Sequence, residues 1–106
     1  MAYVHQVSFE LAPDRVGDLK IGASLERVIG YLRALLPNET GYVTSRAMFS
    51  IDSGEPTRVV FQSVWQDWDD LVAHRSSQVM EEKTLTEFVD FVTGKGISSH
   101  SFEEVP

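Results

Sequence analysis

The chain has 106 residues, 42% of them hydrophobic and 24% charged, which is the make-up of one globular domain over residues 1–106 and not of a disordered chain. Sixteen acidic against nine basic residues leave a formal charge of −7, which argues against nucleic acid or an anionic membrane surface as a partner. With no cysteine, disulfides, thiolate nucleophiles, iron–sulfur clusters and cysteine zinc sites fall away.

No apolar run approaches the roughly 18 residues of a membrane span. The start, Met1-Ala2-Tyr3-Val4-His5, has no basic stretch followed by an apolar one, so a cytoplasmic location is expected. Residues 3 to 11 alternate: Tyr3, His5, Val7, Phe9 and Leu11 face one way, Val4, Gln6, Ser8 and Glu10 the other. That is a strand, ended by Ala12-Pro13-Asp14. Between Asp14 and Leu36 two apolar stripes emerge at about 100° per residue. Val16, Leu19 and Ala23 form one; Leu25, Val28, Ile29, Leu32, Leu35 and Leu36 form the other, nearly opposite. One straight helix cannot bury both against a sheet, so a break is expected near Gly22, with Ser24 capping a helix over 25–36 and Pro37 stopping it.

Residues 42–51 and 57–66 read as a hairpin around Asp52-Ser53-Gly54-Glu55-Pro56. Asp67, with Asp70 three residues on, opens the next helix, whose buried stripe is expected to be Trp68, Leu71, Val72 and Val79. Thr84-x-x-Glu87 reads as a second capping box, opening a helix with Leu85, Phe88, Val89 and Val92 on one side. Gly94 and Gly96 are expected to end it, and residues 97–105 to form the last strand. The order β-α-β-β-α-β, with the second helical region in two pieces, is the α+β, ferredoxin-like layout of a four-stranded antiparallel sheet with helices on one face. Strands two and three carry large apolar residues on both faces. The uncovered face therefore calls for a second copy of the sheet, hence a homodimer.

The stretch from Gly41-Tyr42-Val43 through Trp65-Gln66-Asp67-Trp68-Asp69-Asp70-Leu71-Val72-Ala73-His74-Arg75-Ser76-Ser77 resembles the antibiotic-biosynthesis-monooxygenase (ABM-like) family of dimeric α+β barrels. In that family a strand often ends in a tryptophan, a short acidic-capped helix follows, and a histidine lies further along it. The resemblance implies a pocket between helices and sheet and a monooxygenase that works without a cofactor on a hydrophobic aromatic such as a polyketide or quinol. Quinone-forming members use an asparagine before the tryptophan and an arginine beyond it; here Phe61 or Gln62 stands in that region and no arginine follows Arg75. Haem-degrading members use a first-strand asparagine with a tryptophan and a histidine. Trp65 and His74 match the latter two, and the first strand offers His5, Gln6 and Ser8. Val4-His5-Gln6-Val7 also resembles the stress-responsive dimeric α/β-barrel proteins, some of which cyclise polyketides with a histidine base.

The residues that could carry chemistry are few. His5 shares a strand face with Val7, Phe9 and Leu11, and reads either as a half-wet strand-end histidine or as an acid/base group. His74, four residues after Asp70, reads as a surface ion pair or as a pocket base oriented by that carboxylate. Because an exposed i, i+4 pair is worth only a few tenths of a kcal/mol, His74→Ala is expected to leave the melting temperature nearly unchanged yet abolish turnover or weaken the binding of ionisable aromatics. Trp65, Trp68 and Phe61 are candidate aromatic walls for a substrate, and equally core or interface anchors. His100 reads as a solvated sheet residue, and Glu81-Glu82 and Glu103-Glu104 as solvated charge. The histidines lack metal-site spacing, no G-x-S-x-G elbow is present, and Gly94-Lys95-Gly96 lacks the spacing of a phosphate loop.

Overall fold

Alternating side chains build the sheet. The computed structural model describes residues 2–50, 52 and 56–106. Ile51, the turn residues 53–55 and the side chain of Leu19 lie outside the described residues. Strands β1 (Tyr3–Leu11), β2 (Tyr42–Phe49), β3 (Arg58–Trp65) and β4 (Val92–Glu103) form one sheet in the order β2-β3-β1-β4, every pairing antiparallel. Helices α1 (Leu19–Ala34), α2 (Trp68–Ser77) and α3 (Val79–Phe88) supply the second layer. The expected ferredoxin-like order therefore holds, including a second helical region in two pieces. No helix among the described residues is long and apolar enough to cross a membrane.

Register decides what the helices cover. Across β3, β1 and β4 the covered face carries Ser63–His5–Ser101, Phe61–Val7–Ser99 and Val59–Phe9–Ile97 as adjacent rows. Val28 and Leu32 from α1, Leu71 from α2, and Met80 and Phe88 from α3 close over these rows as one continuous core. The Phe9 and Phe88 rings lie 4.9 Å apart, a separation typical of favourable aromatic pairs. The opposite face carries Arg46, Gln62, Gln6 and His100 in one row, flanked by Val64, Val4 and Phe102 on one side and by Met48, Val60 and Ser8 on the other. Gln62 ties the row together, accepting from Arg46 Nε at 3.0 Å and donating to Gln6 Oε1 at 2.8 Å. Met48 and Phe102 are exposed there. No helix packs on this face among the described residues.

The helices depart from the expected ones in three places. First, α1 is unbroken. Val16 lies outside it, exposed ahead of Gly17 at φ +92°, and Ala23 is exposed too, so neither of these residues makes a buried stripe that a break would have to serve. Asp18 is the cap, accepting the Lys20 N–H at 2.9 Å. Ser24 is buried inside the helix. Second, Thr84 is fully buried within α3, and Gln78, in the left-handed conformation at φ 55°, separates α3 from α2. The buried stripe is Met80, Thr84 and Phe88, spaced by four, while Leu85 and Val89 are exposed. Glu87 pairs with Arg27 of α1 in place of capping. Third, Gly94 and Gly96 lie inside β4, which starts five residues earlier than expected; a register shift after Phe9 sets Leu11 opposite Val92.

Candidate functional site

Three rings meet on the covered face at the α2 end of the sheet. His5 stands on β1 between Ser63 and Ser101, Trp65 ends β3, and His74 comes down from α2. The helix places His74 there because its buried side is Leu71 and His74, three residues apart, which lie together at helical spacing. Trp65 and His74 stack with centroids 4.5 Å apart and planes 26° from parallel. His5 meets His74 edge-on at 5.2 Å. Both histidines are almost wholly buried, at 1% and 2% exposure, and Trp65 is fully buried. Its Nε1–H donates to Ser63 Oγ at 2.9 Å, which satisfies the one polar atom of the indole.

Each histidine has one nitrogen engaged by a carboxylate. His5 Nε2 lies 2.9 Å from Glu81 Oε1 on α3, which also accepts from Ser99 Oγ at 3.0 Å. His74 Nδ1 lies 3.1 Å from Glu39 Oε1, in the loop between α1 and β2. A carboxylate only accepts, so it draws the ring proton to the nitrogen facing it. The opposite nitrogens, His5 Nδ1 and His74 Nε2, are buried and have no hydrogen-bond partner. In the neutral rings each therefore presents a lone pair. The carboxylates lie at the rim, with side-chain exposures of 34% for Glu39 and 22% for Glu81, so each links a dry base to water.

The charges follow from this layering. Burial holds the His74 pKa below its usual value; Glu39 pulls the other way, and the His5 ring beside it adds to the depression. For Glu81, burial favours the neutral acid, but the hydrogen bond and charge of His5, with Ser99, bring the carboxyl below its usual range. A ring with one nitrogen on a carboxylate and a free lone pair on the other is the arrangement of a general base. Two such rings in contact cannot both take a proton cheaply. Among the described residues no three His, Asp or Glu side chains are placed to hold a metal ion.

The residues singled out from the sequence fall into two groups. His5, His74 and Trp65 come together. Phe61 is buried in the core, its ring 6.1 Å from Phe88. Trp68 is 43% exposed, not buried as the helix pattern implied, and its ring lies 5.8 Å from Tyr3. Asp70 packs against Gly41, where a Cβ would collide with its carboxylate; the partner of His74 is Glu39. Glu39 and Glu81 were the residues that sequence reasoning missed. Glu39 lies 35 positions from His74 and Glu81 lies 76 from His5, so no local spacing could expose either pair.

Two clefts run beside the site along β4. One, of about 340 Å³, is lined by Glu81, Ser99, Ile97 and Leu85 among others. The other, of about 490 Å³, is lined by Tyr3, Trp68, Ser101, Phe102 and Glu103. Both volumes fall in the usual small-molecule range.

No family model matches the chain, and no curated protein does so either. Solved structures do. A protein from Bacteroides fragilis, described as dimeric, of unknown function and with a ferredoxin-like fold, superposes with a TM-score of 0.68 at 14% identity over 97% of this chain and 96% of its own. Candidate antibiotic biosynthesis monooxygenases from Bacillus cereus and Nitrosomonas europaea superpose with TM-scores of 0.65 and 0.57, at 12% and 16% identity. They cover 95% and 98% of this chain and 90% of theirs in both cases. What the chain has in common with these monooxygenase candidates is therefore its architecture: it has the ferredoxin-like fold that they share.

Proposed function

We propose that the chain is a small-molecule enzyme, a monooxygenase-type oxidoreductase acting without a cofactor on a hydrophobic, ionisable aromatic. One observation carries this reading: two buried histidines in contact, each fixed by a carboxylate on one nitrogen and bare on the other, beside Trp65. His74 Nε2 takes the acidic proton of the substrate, and Glu39 stabilises the imidazolium that forms. The electron-rich anion, shielded from water, then reacts with dioxygen, the co-reactant. For a substrate methylene, the carbon ends as a carbonyl, one oxygen atom stays on it, and the other leaves as water with both hydrogens. The anion supplies the electrons itself, so no resident cofactor is needed. The active unit is a homodimer packed through the open face of the sheet.

Oxygen uptake with an anthrone or hydroquinone tests this. His74→Gln should lower turnover by about 10² to 10⁴, the usual worth of a positioned base. Uptake unchanged by that substitution, with the protein folded, rules the proposal out. A second reading draws on the closure of the site: Trp65, Leu71 and Phe61 fill the space between helices and sheet. On that reading the chain is a ligand-binding or stress-responsive dimer, or a polyketide cyclase-like enzyme. Saturable binding of aromatics with no oxygen consumed would favour it.

A further inference from the structure

Arg75 has no place in the chemistry described so far. Of the nine basic residues, Arg15, Arg27, Arg58, Lys83 and Lys95 each meet a carboxylate. Among the described residues Arg75 meets none, and neither do Lys20, Arg33 and Arg46, although the chain has sixteen acids. Its guanidinium is nonetheless held in place. It lies over the Trp68 ring, 5.4 Å from the centroid, and Nη1 donates to Ser101 Oγ at 3.1 Å. A stacked, half-tethered guanidinium with free N–H groups is preorganised for a planar anion.

Its position gives that anion a setting. Ser101 is the β4 partner of His5, and adjacent strands lie about 4.8 Å apart. The guanidinium thus holds the strand neighbour of His5, and Trp68 and Ser101, which it touches, line the cleft of about 490 Å³. Tyr3 and Trp68 give this cleft aromatic walls. Glu103, which pairs with Tyr3 one row further out, sets a negative charge at the other end. A monoanion would lie with its charge inward on Arg75, and Glu103 would repel a second acid group.

We infer that Arg75 is an anion anchor, and that the ligand of this cleft is an aromatic monocarboxylate. This deepens the proposed function and rests on it, since it names the substrate class of the same site. The test is titration of the full chain, followed by tryptophan fluorescence, with hydroxynaphthoate and naphthol, which differ by one carboxylate. The wild type should bind hydroxynaphthoate at least about tenfold more tightly, the worth of one charge-assisted contact. Arg75→Gln should erase that preference and leave naphthol binding intact. Arg75→Lys, with the charge but no planar fork, should fall between. The side chain is on the surface, so both variants should fold. His74→Gln should lose oxygen uptake and keep the carboxylate preference. Equal binding of the two probes to the wild type, or a preference that survives Arg75→Gln, overturns the anchor alone. Failure of both probes to bind removes the proposed site and the anchor with it.

Discussion

His74 keeps its proton off because the ring is dry, and that has a consequence for stability. Its pKa in the folded chain lies below the ordinary value of 6.5, so between those two values the unfolded chain binds the extra proton. Stability therefore rises with pH through that window and is lost as pH falls below 6.5. Glu81 works in the same direction at lower pH: its depressed pKa adds stability above its ordinary 4.5, lost as pH falls through the folded value. The urea midpoint should drop between about pH 7 and pH 5, and His74→Gln should flatten the drop. Equal midpoints at those two pH values in the wild type would contradict the buried neutral ring. Burial also reverses what an exposed Asp70–His74 pair implied for His74→Ala. Deleting a ring that is 2% exposed opens a cavity, and the change should lower the melting temperature at a cost of about 2–4 kcal/mol. The three rings were legible from strand alternation and the Trp65-to-His74 spacing. Their carboxylates were not, because both partners arrive from distant elements.

At the scale of elements, strands were easier to read than helices. Period-two alternation in β1 survives into the structure because His5, Val7, Phe9 and Leu11 are buried under the helices while Val4, Gln6 and Glu10 are partly exposed; Ser8 alone on that side is buried. Helix phases were harder. Val16 and Ala23 mimicked a stripe although neither is buried, and Thr84 mimicked a cap although it is a buried residue in the middle of α3. Apolarity alone does not say which side of a helix meets the sheet. Two glycines make the point measurable. Gly22, the fourth residue of α1, has nothing near its missing Cβ, so Gly22→Ala should stabilise the fold by up to about 0.5–1 kcal/mol. Gly41 has φ +83° and the Asp70 carboxylate where a Cβ would go, so Gly41→Ala should destabilise it. Urea midpoints of the two variants should move in opposite directions; the same direction for both would discredit the unbroken α1 or the Gly41–Asp70 approach.

For the whole molecule, the question is what lies on the open face. Met48 and Phe102 are exposed there beside Val4, Val60 and Val64, and a second sheet laid on this face would bury the patch. Sedimentation at micromolar concentration should give a dimer, with an interface above about 1,000 Å². Val64→Glu should give a monomer with the site residues intact; a monomeric wild type would remove the barrel. The row Arg46–Gln62–Gln6 crosses the middle of this face. In the expected dimer, a two-fold axis through the middle of this face would set that row against its own copy, where every polar group must find a match or stay dry and unbonded. Sliding one sheet along the other by a single pair of residues would set guanidinium and amides against valine and phenylalanine. In a dimer packed that way the row would favour a second copy over a chain with the same greasy strands but a different central stripe.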